Sequence, residues 1–187
     1  MSTIFTWLRQ AEKKQTTLVD VGGGSGHVAL SLAREFPDMK FVVQDMYETM
    51  FSETSRNTDP ELLARVSFAK HDYFTPETPD SSVSAYLLRS CLHNRGHDEA
   101  VKMLRGFVPA LEANPDVALL INEIVIPDPG VITLHEEKNL RQADIAMMVI
   151  ANAKQRSEKE WRALLRAADP RLDVRRIRRP LTYVELT

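Results

Sequence analysis

Thr17-Leu18-Val19-Asp20-Val21-Gly22-Gly23-Gly24-Ser25-Gly26-His27 is the stretch that decides how the rest of the chain reads. Leu18, Val19 and Val21 make a buried β-strand, the glycines a tight turn, and Val28, Ala29, Leu30, Leu32 and Ala33 the start of a helix. Four glycines among five residues allow positive φ and let a ligand approach without meeting a Cβ. The helix aims its free N–H groups and the positive end of its dipole back at the turn. Strand, glycine turn and helix N-terminus in that order form a cradle for a ligand.

Outward from this stretch, strands and helices alternate. The helix after the glycine turn stops near Phe36-Pro37. Phe41–Asp45 reads as a second buried strand, and a helical, partly irregular stretch runs to Ala64, broken at Asp59-Pro60. Val66–Phe74 reads as strand three, Thr75–Ser82 as a loop, and Val83–Leu88 as strand four. A helix over 98–111 follows the Gly96 break, and Val117–Ile126 reads as one long fifth strand. This alternation argues for βαβ units and a parallel sheet covered by helices on both faces. Helices are expected over 3–13, 134–153 and 158–168. The chain ends in two β-rich runs, Leu172–Ile177 and Leu181–Leu186, whose short link suits an antiparallel pair. The expected fold is thus α/β and Rossmann-like: one domain over 1–187 with a mostly parallel, seven-stranded sheet and a terminal antiparallel strand.

Bulk properties narrow the function. The chain has 187 residues, 43% hydrophobic and 27% charged, enough for one domain with a sizeable core. A formal charge of −2 gives no reason to expect nucleic acid or an anionic membrane as partner. Arg175-Arg176-Ile177-Arg178-Arg179 reads as a solvated edge strand, not a nucleic-acid patch. Cys91 is the single cysteine, which suits a reducing, cytoplasmic setting. No apolar run approaches the roughly 20 residues needed to span a bilayer, and Met1-Ser2-Thr3 does not open like a signal peptide.

Acids recur where the strands end. Asp20 lies in strand one, Asp45 closes strand two with Met46 after it, and Asp72-Tyr73 closes strand three. In open α/β sheets ligands bind at that edge. An acid at the position of Asp45 can accept two ribose hydroxyls, which suits a dinucleotide and S-adenosylmethionine equally. Asp72-Tyr73 can hydrogen-bond an adenine amine and stack on its ring. The plainer alternatives are a solvated acid at 45, and an Asp72 that caps the next turn while Tyr73 enters the core. A dinucleotide fingerprint, G-x-G-x-x-G/A, fails at His27. The tighter Gly22-x-Gly24-x-Gly26 spacing, preceded by Asp20, resembles motif I of the class I S-adenosylmethionine (SAM) methyltransferases.

A second segment makes the resemblance more specific. Leu88-Arg89-Ser90-Cys91-Leu92-His93-Asn94-Arg95-Gly96-His97-Asp98-Glu99 is similar to the LR-x-x-LH-[DN]-W-x-DE segment of the plant and fungal small-molecule O-methyltransferases, the caffeic-acid type. Together with Val43-Gln44-Asp45 and Asn122–Pro127 the likeness covers nearly the whole chain, and its fungal branch looks nearest. The resemblance implies SAM as cofactor, S-adenosylhomocysteine as product and a small hydroxylated acceptor. It implies His93 as general base, Glu123 as the carboxylate that orients it, and Gln155 in the place of a second acid. Arg89 is expected near the adenosine, and Met148 and Asn152 in the acceptor pocket, although helix spacing alone would make the methionine a core residue. Imidazole (pKa ~6.5) and phenol (~10) are mismatched in water, yet a positioned acceptor suffices when proton transfer accompanies methyl attack. Arg95 replaces the segment's aromatic residue, so ring packing beside the base is expected to be absent.

The resemblance also implies an N-terminal dimerisation domain, for which residues 1–16 are the most this sequence is expected to offer. Apolar faces on helices 3–13 and 135–153 are therefore expected to be exposed and covered by a second copy or a companion protein. His93 and His97 lie four apart, but Gly96 stands between them with no obvious third ligand, so no metal site is expected. Nothing near Cys91 defines it as a nucleophile. Two other functions compete: a SAM-binding, methyltransferase-like protein without methyl transfer, in an accessory or pericyclase-like role, and a nicotinamide oxidoreductase, disfavoured by His27.

Overall fold

The structure, a computed structural model, describes residues 16–51, 54, 58–178 and 183–186. The helix expected over 3–13 lies outside them. β1 (Thr17–Val21) is buried along its whole length between β2 (Lys40–Asp45) and β4 (Val83–Arg89), parallel to both. β3 (Val66–Lys70) and β5 (Ala118–Asn122) extend the parallel set. β8 (Val174–Arg178) and β9 (Tyr183–Leu186) complete a seven-stranded sheet of order β3-β2-β1-β4-β5-β9-β8, in which β9 runs antiparallel to both neighbours. β8 forms one edge and carries exposed Arg175 and Arg176.

Side chains alternate between the faces of the sheet and feed two cores. Leu18, Phe41, Val43 and Leu87 pack with Ala29, Leu32 and Ala33 of α1 (His27–Glu35). Val19, Val21, Tyr86 and Leu88 pack with Leu104 and Phe107 of α3 (His97–Ala113) and with Trp161, Leu164 and Leu165 of α5 (Glu158–Ala168). Between these lie the short α2 (Pro60–Leu63) and the long α4 (Leu134–Ala151). α4 buries none of its residues, and Leu134, Ile145, Met148, Val149 and Ile150 are all more than half exposed, as expected for 135–153.

Three boundaries differ from the sequence reading. Strand three ends at Lys70 rather than Phe74, because Asp72 Oδ1 accepts the Phe74 N–H at 2.9 Å and turns the chain. Asp59-Pro60 starts a helix instead of breaking one: Asp59 caps it through Glu61 N, and proline fits the first turn. The apolar run 117–126 is not one strand. β5 stops at Asn122, Glu123 leaves the sheet, and β6 (Val125–Ile126) pairs in parallel with β7 (Arg156–Ser157) as a separate ladder.

Candidate functional site

The glycine turn keeps its shape for reasons inside the protein. Gly22 and Gly26 have φ of +70° and +79°, in the left-handed region. A Cβ on Gly22 would meet Cys91 Sγ at 2.8 Å, and one on Gly26 would meet the Phe68 ring at 2.7 Å. These two positions are thus glycine for backbone and packing, whatever approaches from outside. Asp45 holds the turn from the next strand: its Oδ2 accepts Gly24 N–H and its Oδ1 accepts Tyr47 N–H, each at 3.1 Å. A carboxylate has about four lone-pair sites, so both oxygens can accept further donors. Met46, beside it, is half-buried.

Asp20 is the unusual group of this edge. It is 2% exposed, and its Oδ2 has no hydrogen-bond partner among the described residues. Burial pushes its carboxyl up to about 7, against the pull of the Arg89 guanidinium and with a smaller push from Asp45. Arg89 itself is exposed at the end of β4. An unsatisfied buried acid beside a glycine turn fits a cationic ligand, and Asp45 fits its hydroxyls. The residues present therefore suit SAM, whose sulfonium and ammonium are positive.

Asp72 and Tyr73 are placed less simply. Asp72 is exposed and its Oδ1 is engaged in the turn. Tyr73 is half-buried, and its hydroxyl accepts a hydrogen bond from Arg95 Nη2. The Arg95 guanidinium lies over the Tyr73 and Phe74 rings, 5.4 and 5.5 Å from their centroids. Ring packing is thus present at this turn, supplied by a cation on two aromatics.

His93 sits in a single 3₁₀ turn, Leu92–Asn94, between β4 and α3. Glu123, whose side chain is fully buried, reaches it by leaving the sheet. Its Oε1 accepts the N–H groups of Cys91, Leu92 and His93 at 2.8, 2.7 and 3.3 Å. Its Oε2 lies 2.9 Å from His93 Nδ1. Gln155 approaches the same nitrogen at 3.4 Å, and its own N–H is held by Asp144. A proton held on Nδ1, beside the Glu123 carboxylate, would leave the lone pair on Nε2, the nitrogen then able to take a proton. Cys91 is no competitor, because burial, with Glu123 and Asp20 nearby, pushes its thiol up to about 12.

Met148 and Asn152 line a cavity of about 420 Å³ between the end of α4 and the start of α3, with Arg95 and Arg156 on its other walls. Met148 is 59% exposed, which rules out the core reading for it. Asn152 takes the left-handed conformation that ends α4. Sequence reasoning missed Arg156, 2% exposed, whose guanidinium donates to Leu92 O and Arg95 O around the His93 turn. It also missed a buried cluster behind the Asp45–Asp72 edge, where Glu77 meets His71 Nε2 at 3.0 Å and Gln44 Nε2 at 3.3 Å. A charged residue directly after Gln155 was the available signal for the first. For the second, 33 residues separate Gln44 from Glu77 and no spacing marks them. Among the described residues no cluster of His, Cys, Asp and Glu is placed to hold a metal ion, and no helix is long and apolar enough to cross a membrane.

A sequence profile for the O-methyltransferase domain matches residues 7–169. O-methyltransferase sol2 of Alternaria solani is 46% identical over 162 residues, covering 86% of this chain and 38% of that protein. Among solved structures, the O-methyltransferase NcsB1 from neocarzinostatin biosynthesis, bound to SAM and 2-hydroxy-5-methyl naphthoic acid, superposes with a TM-score of 0.75 at 26% identity, covering 92% of this chain and 49% of that one. A pericyclic reaction enzyme superposes with a TM-score of 0.75 at 23% identity, covering 94% and 43%, a likeness of fold alone. The chain spans less than half the length of the curated relatives it matches.

Proposed function

Because this chain belongs to the O-methyltransferase family, we propose that it binds SAM at the glycine edge and transfers its methyl group to a hydroxyl of a small aromatic or polyketide-like acceptor. The observation that carries this reading is the pairing of His93 Nδ1 with the buried Glu123 carboxylate at 2.9 Å. SAM supplies an activated methyl group on a sulfonium and leaves as S-adenosylhomocysteine. Gly22, Gly24 and Gly26 shape the cradle, Asp45 accepts the ribose hydroxyls, and Asp20 answers the ligand's positive charge. Met46, Asp72, Tyr73 and Arg89 surround the nucleoside.

His93 Nε2 accepts the acceptor's hydroxyl proton as the oxygen takes the methyl group. Glu123 holds the ring in the tautomer that allows this and stabilises the imidazolium that results. Gln155 Nε2 lies 3.4 Å from the same nitrogen and adds no charge to it. Met148 and Asn152 bound the acceptor's side, where alignment of oxygen, methyl and sulfur supplies much of the rate. The exposed apolar face of α4 is covered by a second copy or a companion protein. A clean monomer in sedimentation at high concentration would contradict that. The lone Cys91 suits the cytoplasm, the location proposed.

The test is methyl transfer to a panel of hydroxynaphthoates, with wild type and His93→Ala compared. Turnover is expected from wild type, with a loss of about 10²–10⁴-fold in the variant, the range for a general base, and little change in SAM affinity. Equal turnover in both removes His93 from the role. Tight SAM binding without transfer to any hydroxyl supports the second reading, a SAM-binding protein with another role, which the neutral Gln155 favours.

A further inference from the structure

We propose that Arg156 is a positioning residue for His93: opposite Glu123, it clamps the 3₁₀ turn and so fixes where Nε2 points. This rests on the reading of His93 as base. Nη1 donates to Leu92 O at 2.7 Å and Nη2 to Arg95 O at 2.8 Å, the carbonyls flanking His93 on either side. Glu123 takes the N–H groups at the front of the same turn. One short turn thus has its donors held by a buried carboxylate and its carbonyls by a buried guanidinium.

The fold registers the two clamps against each other. β6 begins two residues after Glu123, β7 begins at Arg156, and Val125 pairs with Arg156 in the two-residue ladder. The ladder is separate from the main sheet. On its other side the guanidinium lies 5.5 Å from the Trp161 ring centroid, in the packed face of α5. Burying a cation costs free energy unless acceptors surround it. An apolar residue would close this interior without that cost. What an apolar residue cannot do is hold two carbonyls at fixed spacing, for which a planar fork is suited and an ammonium is not.

The clamp also reaches the nucleoside side. Arg95, whose carbonyl Arg156 holds, packs on Tyr73 and bonds its hydroxyl. Trp161, Arg156, Arg95 and Tyr73 form a continuous chain of contacts from the core of α5 to the cofactor edge. Movement of the guanidinium therefore shifts the base relative to the nucleoside segment.

Arg156→Lys keeps the charge and loses the fork; Arg156→Met loses both. In the resting protein, ¹⁵N NMR of the His93 imidazole reports tautomer and the Nδ1–H bond to Glu123 without any turnover. Expected is a predominant Nδ1–H tautomer in wild type and a mixed population in Arg156→Met. With it comes a fall in kcat of about 100-fold, the scale of a misplacement near 1 Å. For Arg156→Lys the fall should be about tenfold on the same scale. KM for SAM stays within about threefold in both. A purely structural role would lower the melting temperature and leave the ring signals of the folded protein in place. Unchanged imidazole signals together with kcat within twofold of wild type overturn the proposal. If Arg156→Met does not fold, Arg156→Lys decides by the same criteria. Should His93→Ala retain turnover, the base reading fails, and the imidazole signals still show whether Arg156 orients the ring.

Discussion

The two halves of the candidate site are built in opposite ways. The glycine edge is local: β1, its turn and α1 are consecutive, and Asp45 joins from the adjacent strand. The base turn is assembled from afar, with Glu123 and Arg156 arriving from 30 and 64 residues away to hold backbone groups around His93. The first half leaves Asp20 Oδ2 without a hydrogen bond among the described residues, while the unbonded Glu123 Oε2 of the second faces His93 Nδ1 at 2.9 Å. In the second half the buried charges meet many polar groups. A site ready for a cationic ligand keeps a buried acid whose charge burial opposes, whereas a site that must aim one ring nitrogen holds the backbone around it from both sides.

The sharpest way to break this contrast is Glu123→Gln. An amide facing Nδ1 can donate to it, which moves the ring proton to Nε2 and removes the acceptor. Loss of kcat on the order of 10⁴-fold is expected, as for a base in the wrong tautomer, with SAM affinity nearly unchanged. A matching loss of SAM affinity would show that the halves are not separable. Gly26→Ala attacks the other half. Its φ of +79° and the 2.7 Å approach to Phe68 predict a loss of about 1–3 kcal/mol in stability, and weaker SAM binding with it, read by thermal melts with and without ligand.

Asp20 gives a pH signature. Its folded pKa, about 7, stands above its unfolded value of 3.8. Between those values the folded state binds the extra proton, so this group stabilises the ligand-free protein at low pH and the contribution is lost as pH rises toward 7. A cation bound beside it favours the ionised form. SAM affinity should therefore rise with pH up to about 7, and Asp20→Asn should flatten that rise. A rise that persists in the variant assigns it to another group. The smallest effect is expected at α4, where Ile150→Lys, on a side chain 76% exposed, should change monomer stability by no more than about 0.5 kcal/mol while weakening any self-association seen in sedimentation.

Legibility followed the same division. Leu18, Val19 and Val21, the glycines and Asp45 could be read because strand, turn and strand-end acid are patterns of neighbours. Glu123 was identifiable only through the family likeness, since the apolar run Val117–Ile126 gives no hint that the chain leaves the sheet at its carboxylate. The likeness also put Met148 and Asn152 together, where helix spacing argued for the core. Arg156 stayed hidden because its partners are backbone carbonyls, which carry no residue-type signature. The early end of strand three was within reach, because an Asp before Tyr73-Phe74 is a turn former. Its loose alternation was read as strand instead.

The central claim is that the glycine edge is a working SAM site on this chain. Calorimetric titration of the wild-type protein with SAM, and separately with S-adenosylhomocysteine, tests it most directly. Micromolar binding of both at one site per chain is the predicted result. No heat of binding from either ligand would contradict the account.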